Sequence, residues 1–150
     1  MPGPRREPTV RIRCAPEDEA RCRAALGRAG LGAERSLTWL VVRDADPDAV
    51  NEALAAGGAR PRVAVRERIG RLVGWVLDHG ADLDGRAATL RTLVGRVLED
   101  GGLLGRYAPA GEAALLAGAR ALQEHLMATG AGLLAWDRFV ALFCVERGAG

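Results

Sequence analysis

The sequence predicts an α+β fold: a small sheet of three or four strands with two crossing helices, followed by an antiparallel bundle of three or four helices. Three observations carry this. Short runs with a period of two alternate with helical stretches up to Arg68, the apolar period becomes helical from Ile69 onward, and 49% of the 150 residues are apolar, enough for a core. The chain accordingly reads as a sheet part at 9–68 and a helical part at 69–147, packed as one unit, with 1–8 a flexible tail.

Val10, Ile12 and Cys14 alternate with Arg11 and Arg13, the pattern of a strand with one buried face. Pro16 opens a helix whose first turn holds Glu17, Asp18 and Glu19, where carboxylates meet the positive end of the dipole; Gly27 or Gly30 stops it. Leu37 to Val42 is a nearly unbroken apolar run, which predicts a central strand covered on both faces. Asp46 caps the next helix, Pro47 takes its first position, and Val50, Ala53 and Leu54 form its apolar stripe up to Gly57 and Gly58. A third strand places Val63 and Val65 inward and Arg62 and Arg66 outward.

In the second part, Ile69, Leu72, Val73, Val76 and Leu77 recur at i, i+3, i+4, i+7 and i+8, and Leu90, Leu93, Val94, Val97 and Leu98 repeat that spacing. The link between them, His79 to Gly85, is short and offers Asp84 as an N-cap, so the two helices are expected to be antiparallel. A third helix runs from Pro109 to Thr129 with Leu115, Ala119, Leu122 and Leu126 on one face, and Gly130 and Gly132 break it. A last helix, Leu133 to Val145, carries Trp136, Phe139, Val140 and Phe143. That apolar surface exceeds what a short bundle helix must bury, so Trp136, Phe139 and Phe143 are candidates for self-association.

All 21 basic side chains are arginine, and with 28 alanines and 20 glycines the composition is that of a high-GC bacterial coding sequence. The lack of lysine excludes a P-loop lysine, a Schiff base and a kinase-type strand lysine in this chain, and arginine cannot replace them because it stays protonated. Net charge is +2, divided as +3 over residues 1–68 and −1 over residues 69–150, too balanced to coat a polyanion. An anion-binding face therefore belongs in the first part. Cys14, Cys22 and Cys144 form no C-x-x-C pair and have no histidine nearby, so neither a disulfide framework nor a zinc site is indicated, and a reducing, cytoplasmic setting fits. Residues 1–8 lack the apolar stretch of a secretory signal. The most apolar stretch, Leu133 to Val145, is broken by Asp137 and Arg138 and falls short of the roughly 20 residues of a membrane span, so none is expected.

Asp82, Asp84 and Gly85 contain the D-x-D-G fragment of a calcium loop, but alignment on Gly85 puts Gly80 at the first ligand and Arg91 at the last. Helix capping is the better reading, and no metal is expected. His79 precedes Gly80 at a helix end, where a cation complements the dipole, and His125 flanks the Leu122 and Leu126 stripe. Ser36 has no nucleophile-elbow glycines, and Cys22 reads as a half-buried helical residue between Arg21 and Arg23. Glycine pairs at Gly30 and Gly32, Gly57 and Gly58, and Gly101 and Gly102 follow helices and complete no nucleotide-binding motif, so no cofactor is expected.

The set with most chemical promise is Arg11, Arg13, Arg62 and Arg66. If the first and third strands share a sheet, their alternation gathers four guanidiniums on one face, suited to carboxylate, phosphate or an RNA backbone. Neither strand carries the stacking aromatics of an RNA-binding sheet, which favours an acidic protein partner over nucleic acid.

From Thr9 to Asp78 the chain resembles the accessory domain at the C-terminus of many bacterial ABC-transporter ATPases. The opening strand TVRIRC, an Arg- and Ala-rich helix and the run LTWLVVRDADPDAVNEALAAGGARPRVAVRERIGRLVGWVL carry the resemblance, with Asp46, Val50, Asn51, Ala53 and Leu54 matching the family's D-x-x-x-V-N-x-A-L helix. The chain departs from the family in a shortened hairpin between the two helices and in having no Walker lysine, signature motif or Walker B strand. The resemblance implies a free-standing accessory subunit, with any ATP hydrolysis in a separate chain, and it covers nothing beyond Asp78. The sequence as a whole points to a non-catalytic protein-interaction or regulatory module. Anion or nucleic-acid binding through the arginine face and service to an ABC-type ATPase are the alternatives.

Overall fold

A computed structural model describes residues 8–59, 62–129 and 134–147, with Arg62 described by its backbone. Met1 to Glu7 of the expected tail, and the glycine break at Gly130 and Gly132, lie outside the described residues. The fold is mixed α and β, with two antiparallel sheets and six α-helices among the described residues. The chain divides into two compact units, one reaching Glu67 and including Asp100–Gly102, the other formed by Arg68–Glu99 and the residues from Leu103 onward.

The first unit begins with β1 (Val10–Arg13), a single 3-10 turn at Pro16–Asp18 and α1 (Glu19–Arg28). It continues through β2 (Glu34–Ser36), β3 (Trp39–Val42), α2 (Pro47–Ala56) and β4 (Arg62–Val63). The sheet order is β2-β3-β1-β4 with every neighbouring pair antiparallel, so β1-α1-β2-β3-α2-β4 is the split βαβ, ferredoxin-like arrangement. Register assigns the two faces. Val10 and Ile12 lie opposite Val42 and Leu40, Ile12 also lies opposite Val63, and all five are buried. They form the sheet's share of the core, to which α1 adds Cys22, Ala25 and Leu26 and α2 adds Val50, Ala53 and Leu54. A Cβ on Gly57 would overlap the side chain of Ala25, so these two helices are held together by the absence of a side chain.

The third strand is shorter than its alternation suggests. Only Arg62 and Val63 pair with β1, and α3 (Ala64–Asp78) starts at the next residue, so Val65 and Arg66 are helical. The reason is visible in the burial: Val65, Ile69, Leu72, Val73 and Val76 are all buried, and they continue one helical stripe back to Val65. The apolar run at Leu37 also shortens. Leu37 has φ +55 and Thr38 follows it as the link between β2 and β3, and Leu40, Val41 and Val42 alone are buried.

Most of α3 belongs to the second unit, followed by α4 (Ala87–Asp100), β5 (Tyr107–Pro109), α5 (Glu112–Thr129), α6 (Trp136–Phe143) and β6 (Cys144–Glu146). The last helix thus ends at Phe143 rather than Val145. Cys144 is extended, and β6 pairs with β5 through Pro109 opposite Cys144 and Tyr107 opposite Glu146. The same pairing draws Pro109 out of α5 and into a strand. Asp84 is not the N-cap of α4, which starts at Ala87; its carboxylate instead accepts from Arg120 Nη2 at 2.9 Å. Leu90, Val94, Val97 and Leu98 of α4, Leu115 and Leu122 of α5, and Phe139 and Phe143 of α6 are fully buried. No described helix is long and apolar enough to cross a membrane.

Candidate functional site: the outward face of the sheet

The residues between the core positions of β1 point away from α1 and α2, because a strand alternates its faces. Arg11 lies opposite Val41 and Arg13 opposite Trp39 on β3, while β2 places Ser36 opposite Trp39 and Glu34 opposite Val41. Arg13 is also the register partner of Arg62 on β4. One face therefore carries two arginines, a tryptophan and the backbone position of a third arginine.

Trp39 is the centre of this face. The Arg11 and Arg13 guanidinium carbons lie 5.5 and 5.3 Å from the centroid of its ring, both within range of a cation–π interaction. The two cations differ in their remaining partners. Arg11 is half-buried and donates from Nη2 to Asp100 Oδ1 at 2.9 Å, whereas Arg13 is exposed and meets no carboxylate among the described residues. Beside Trp39 at the same end of the sheet, Leu37 is 91% exposed with a positive φ, an arrangement that costs an L-residue free energy and buries nothing. Arg11 and Arg13 thus share this face with Trp39, and Leu37 is exposed on the link two residues before it.

Arg66 does not join them. It is half-buried on α3 with Nη1 2.8 Å from Asp48 Oδ1 on α2, so the expected four-guanidinium face contains Arg11, Arg13 and the backbone of Arg62. Neighbouring arginines face carboxylates: Arg23 and Arg35 share Glu19, and Arg43 lies 3.7 Å from Glu34. The other candidate set, Trp136, Phe139 and Phe143, lies inside the second unit at 3%, 0% and 0% exposure, with successive rings 5.6 and 5.9 Å apart. The apolar area that suggested self-association is used in the core.

Trp39 joins the face although strand alternation alone does not place it there. Neither β1 nor β4 carries an aromatic, but in this order β3 lies next to β1, so the aromatic opposite Arg13 comes from the apolar run that ends at Val42. The remaining candidates have partners within the second unit: the His79 ring lies 4.9 Å from that of Trp75, and Asp82 pairs with Arg86. No group of three or more metal-ligating side chains occurs among the described residues.

The chain matches no family model, no curated protein and no solved structure. Four of the five residues that match the helix of ABC-transporter accessory domains serve α2 itself, by capping it or by filling the core. Asp46 Oδ1 accepts the Asp48 N–H at 2.9 Å and Val50, Ala53 and Leu54 are buried, with only Asn51 half-buried and outside these roles.

Proposed function

We propose that the protein is a non-catalytic interaction module that docks a protein partner on the Trp39 end of its outward sheet face. The observation that carries this is the grouping of an exposed Leu37, a half-buried Trp39 and an exposed Arg13 without a carboxylate partner among the described residues. Tryptophan and arginine are the residues that most often dominate the binding energy of protein interfaces, and an exposed leucine on a strained turn supplies an apolar knob. The fitting partner presents a carboxylate to Arg13 beside an apolar pocket for Leu37.

Charge favours a protein partner over nucleic acid. Affinity for a polyanion rests on several simultaneous phosphate contacts, typically about 6–10 for a salt-sensitive binder, and here Arg11, Arg23, Arg35, Arg43 and Arg66 already face carboxylates. The test is capture from an extract of the native host on immobilised wild-type protein, Arg13→Glu and Leu37→Asp, each checked for folding by circular dichroism. A partner held by wild type and released by both variants supports the reading. Equal retention by all three, or binding of a single-stranded oligonucleotide that weakens steeply with salt, overturns it.

A further inference from the structure

Cys14 directly follows β1 and Cys22 lies in the first turn of α1, and the fold brings their Sγ atoms to 3.3 Å. Both side chains are buried, Cys14 at 8% and Cys22 at 0% exposure. They are eight positions apart in sequence, a spacing that fits no short thiol motif and that only the turn between strand and helix closes.

We propose that Cys14 and Cys22 form a redox-active dithiol that closes to an intramolecular disulfide at the expense of a low-molecular-weight disulfide. Cys14 reacts first, because it alone of the two shows surface to solvent. Its thiolate attacks one sulfur of the small disulfide, a mixed disulfide forms, and the first small thiolate leaves with the electron pair of the broken bond. Cys22 then gives up its proton, its sulfur attacks Cys14 Sγ, and the second small thiolate leaves. Two protein thiols are oxidised by two electrons, the small disulfide is reduced to two thiols, and the two protons released by the cysteines end on them.

The geometry permits closure with little rearrangement. The sulfurs must approach from 3.3 Å to about 2.05 Å, and Ala15 to Asp18, the segment that joins the two cysteines' elements, is exposed along its length and free of core packing. Burial, followed by the hydrogen bond and charge of Cys14 and the charge of Asp18, pushes the Cys22 thiol up to about 12. Cys22 is therefore a poor first nucleophile, yet it stands beside the sulfur it has to attack. Cys144 is the internal control: it is half-buried in β6 of the second unit, and no cysteine of that unit lies near it in sequence.

Because every basic residue is arginine, trypsin cleaves after Arg13, Arg21 and Arg23 and separates Cys14–Arg21 from Cys22–Arg23. The reduced full-length chain is incubated with oxidised glutathione, quenched in acid, alkylated and digested without reduction. The expected product is the Cys14 peptide joined to the Cys22 peptide, lighter than their reduced sum by two hydrogens, as the dominant form of both. Separate alkylated peptides, glutathione retained on Cys14, or chains linked to each other through Cys14 would each overturn the proposal. In Cys22→Ser the glutathione adduct on Cys14 should accumulate where wild type shows none, and if that variant fails to fold, the wild-type digest decides alone.

Discussion

Gly118 of α5 lies directly beneath the backbone of α6, so that a Cβ added there would meet the carbonyl oxygen of Leu142. The obstacle is main chain, which cannot rotate aside as a side-chain tip can. Gly118→Ala is therefore expected to lose about 1–3 kcal/mol through overpacking. At roughly 2–4 °C per kcal/mol for a chain of this size, calorimetry resolves the loss easily. Gly95→Ala is the matched control. Gly95 lies within α4 and its added Cβ meets nothing, so alanine should gain about 0.5–1 kcal/mol from helix propensity. Equal effects of the two changes would show that α5 and α6 do not pack this closely.

Asp46 should be worth a measurable part of the first unit's stability. Its side chain satisfies the Asp48 N–H at the start of α2, and Asp46→Ala is expected to cost about 1 kcal/mol, with Asp46→Asn recovering most of it. Urea titration of the three proteins checks the order, and a loss equal in both variants would mean that the charge matters and the cap does not.

Leu37 separates stability from the proposed docking. Relieving its positive φ with Leu37→Gly should raise stability by up to about 1 kcal/mol, because the left-handed conformation penalises an L-residue and no packing is lost at 91% exposure. The same change should weaken capture of the partner. A variant that loses stability would mean that Leu37 packs in solution, and one that keeps full partner binding would remove it from the docking surface.

Stability should fall in alkali with a slope set by thiols. Burial raises Cys144, and chiefly burial raises Cys22, from an ordinary 9.0 to about 12. Between those values the unfolded chain has lost protons that the folded chain keeps, so the contribution is complete below about pH 9 and declines as pH rises toward 12, by up to about 1.4 kcal/mol per pH unit for each thiol. No lysine adds its own titration in that window. Denaturant midpoints measured from pH 8 to 11 should decline for wild type and decline less for Cys144→Ala. A flat wild-type profile would count against buried neutral thiols.

Helices were legible in the sequence wherever one period ran unopposed, as in Leu90 to Leu98, and α2 was readable to its first residue because Asp46 and Pro47 punctuate it. Alternation misleads where two periods fit. Val63 and Val65 satisfy a strand, but Val65 also begins the helical stripe through Ile69, and the longer pattern wins because it buries more. Strands of three residues, such as Tyr107–Pro109 and Cys144–Glu146, are too short to show any alternation, and each is defined by its partner. The candidate site was half visible for the same reason. Arg11 and Arg13 follow from local alternation, whereas Trp39 joins them only once strand order is known, and the meeting of Cys14 with Cys22 depends on a turn that composition does not specify.

The contact between Arg11 and Asp100 spans 89 residues, and Gly101 accepts the Thr9 N–H at 2.8 Å, so the first unit draws its closing pieces from a distant part of the chain. A ribosome delivers Arg68–Glu99 before them. At synthesis rates of about 5–20 residues per second, the sheet waits on the order of seconds after Glu67 is made, with Arg11 lacking the Asp100 carboxylate and β1 lacking its anchor at Thr9. A chain stopped at Glu67 would remain in that condition indefinitely, and the shortest fragment able to complete the first unit ends at Gly102.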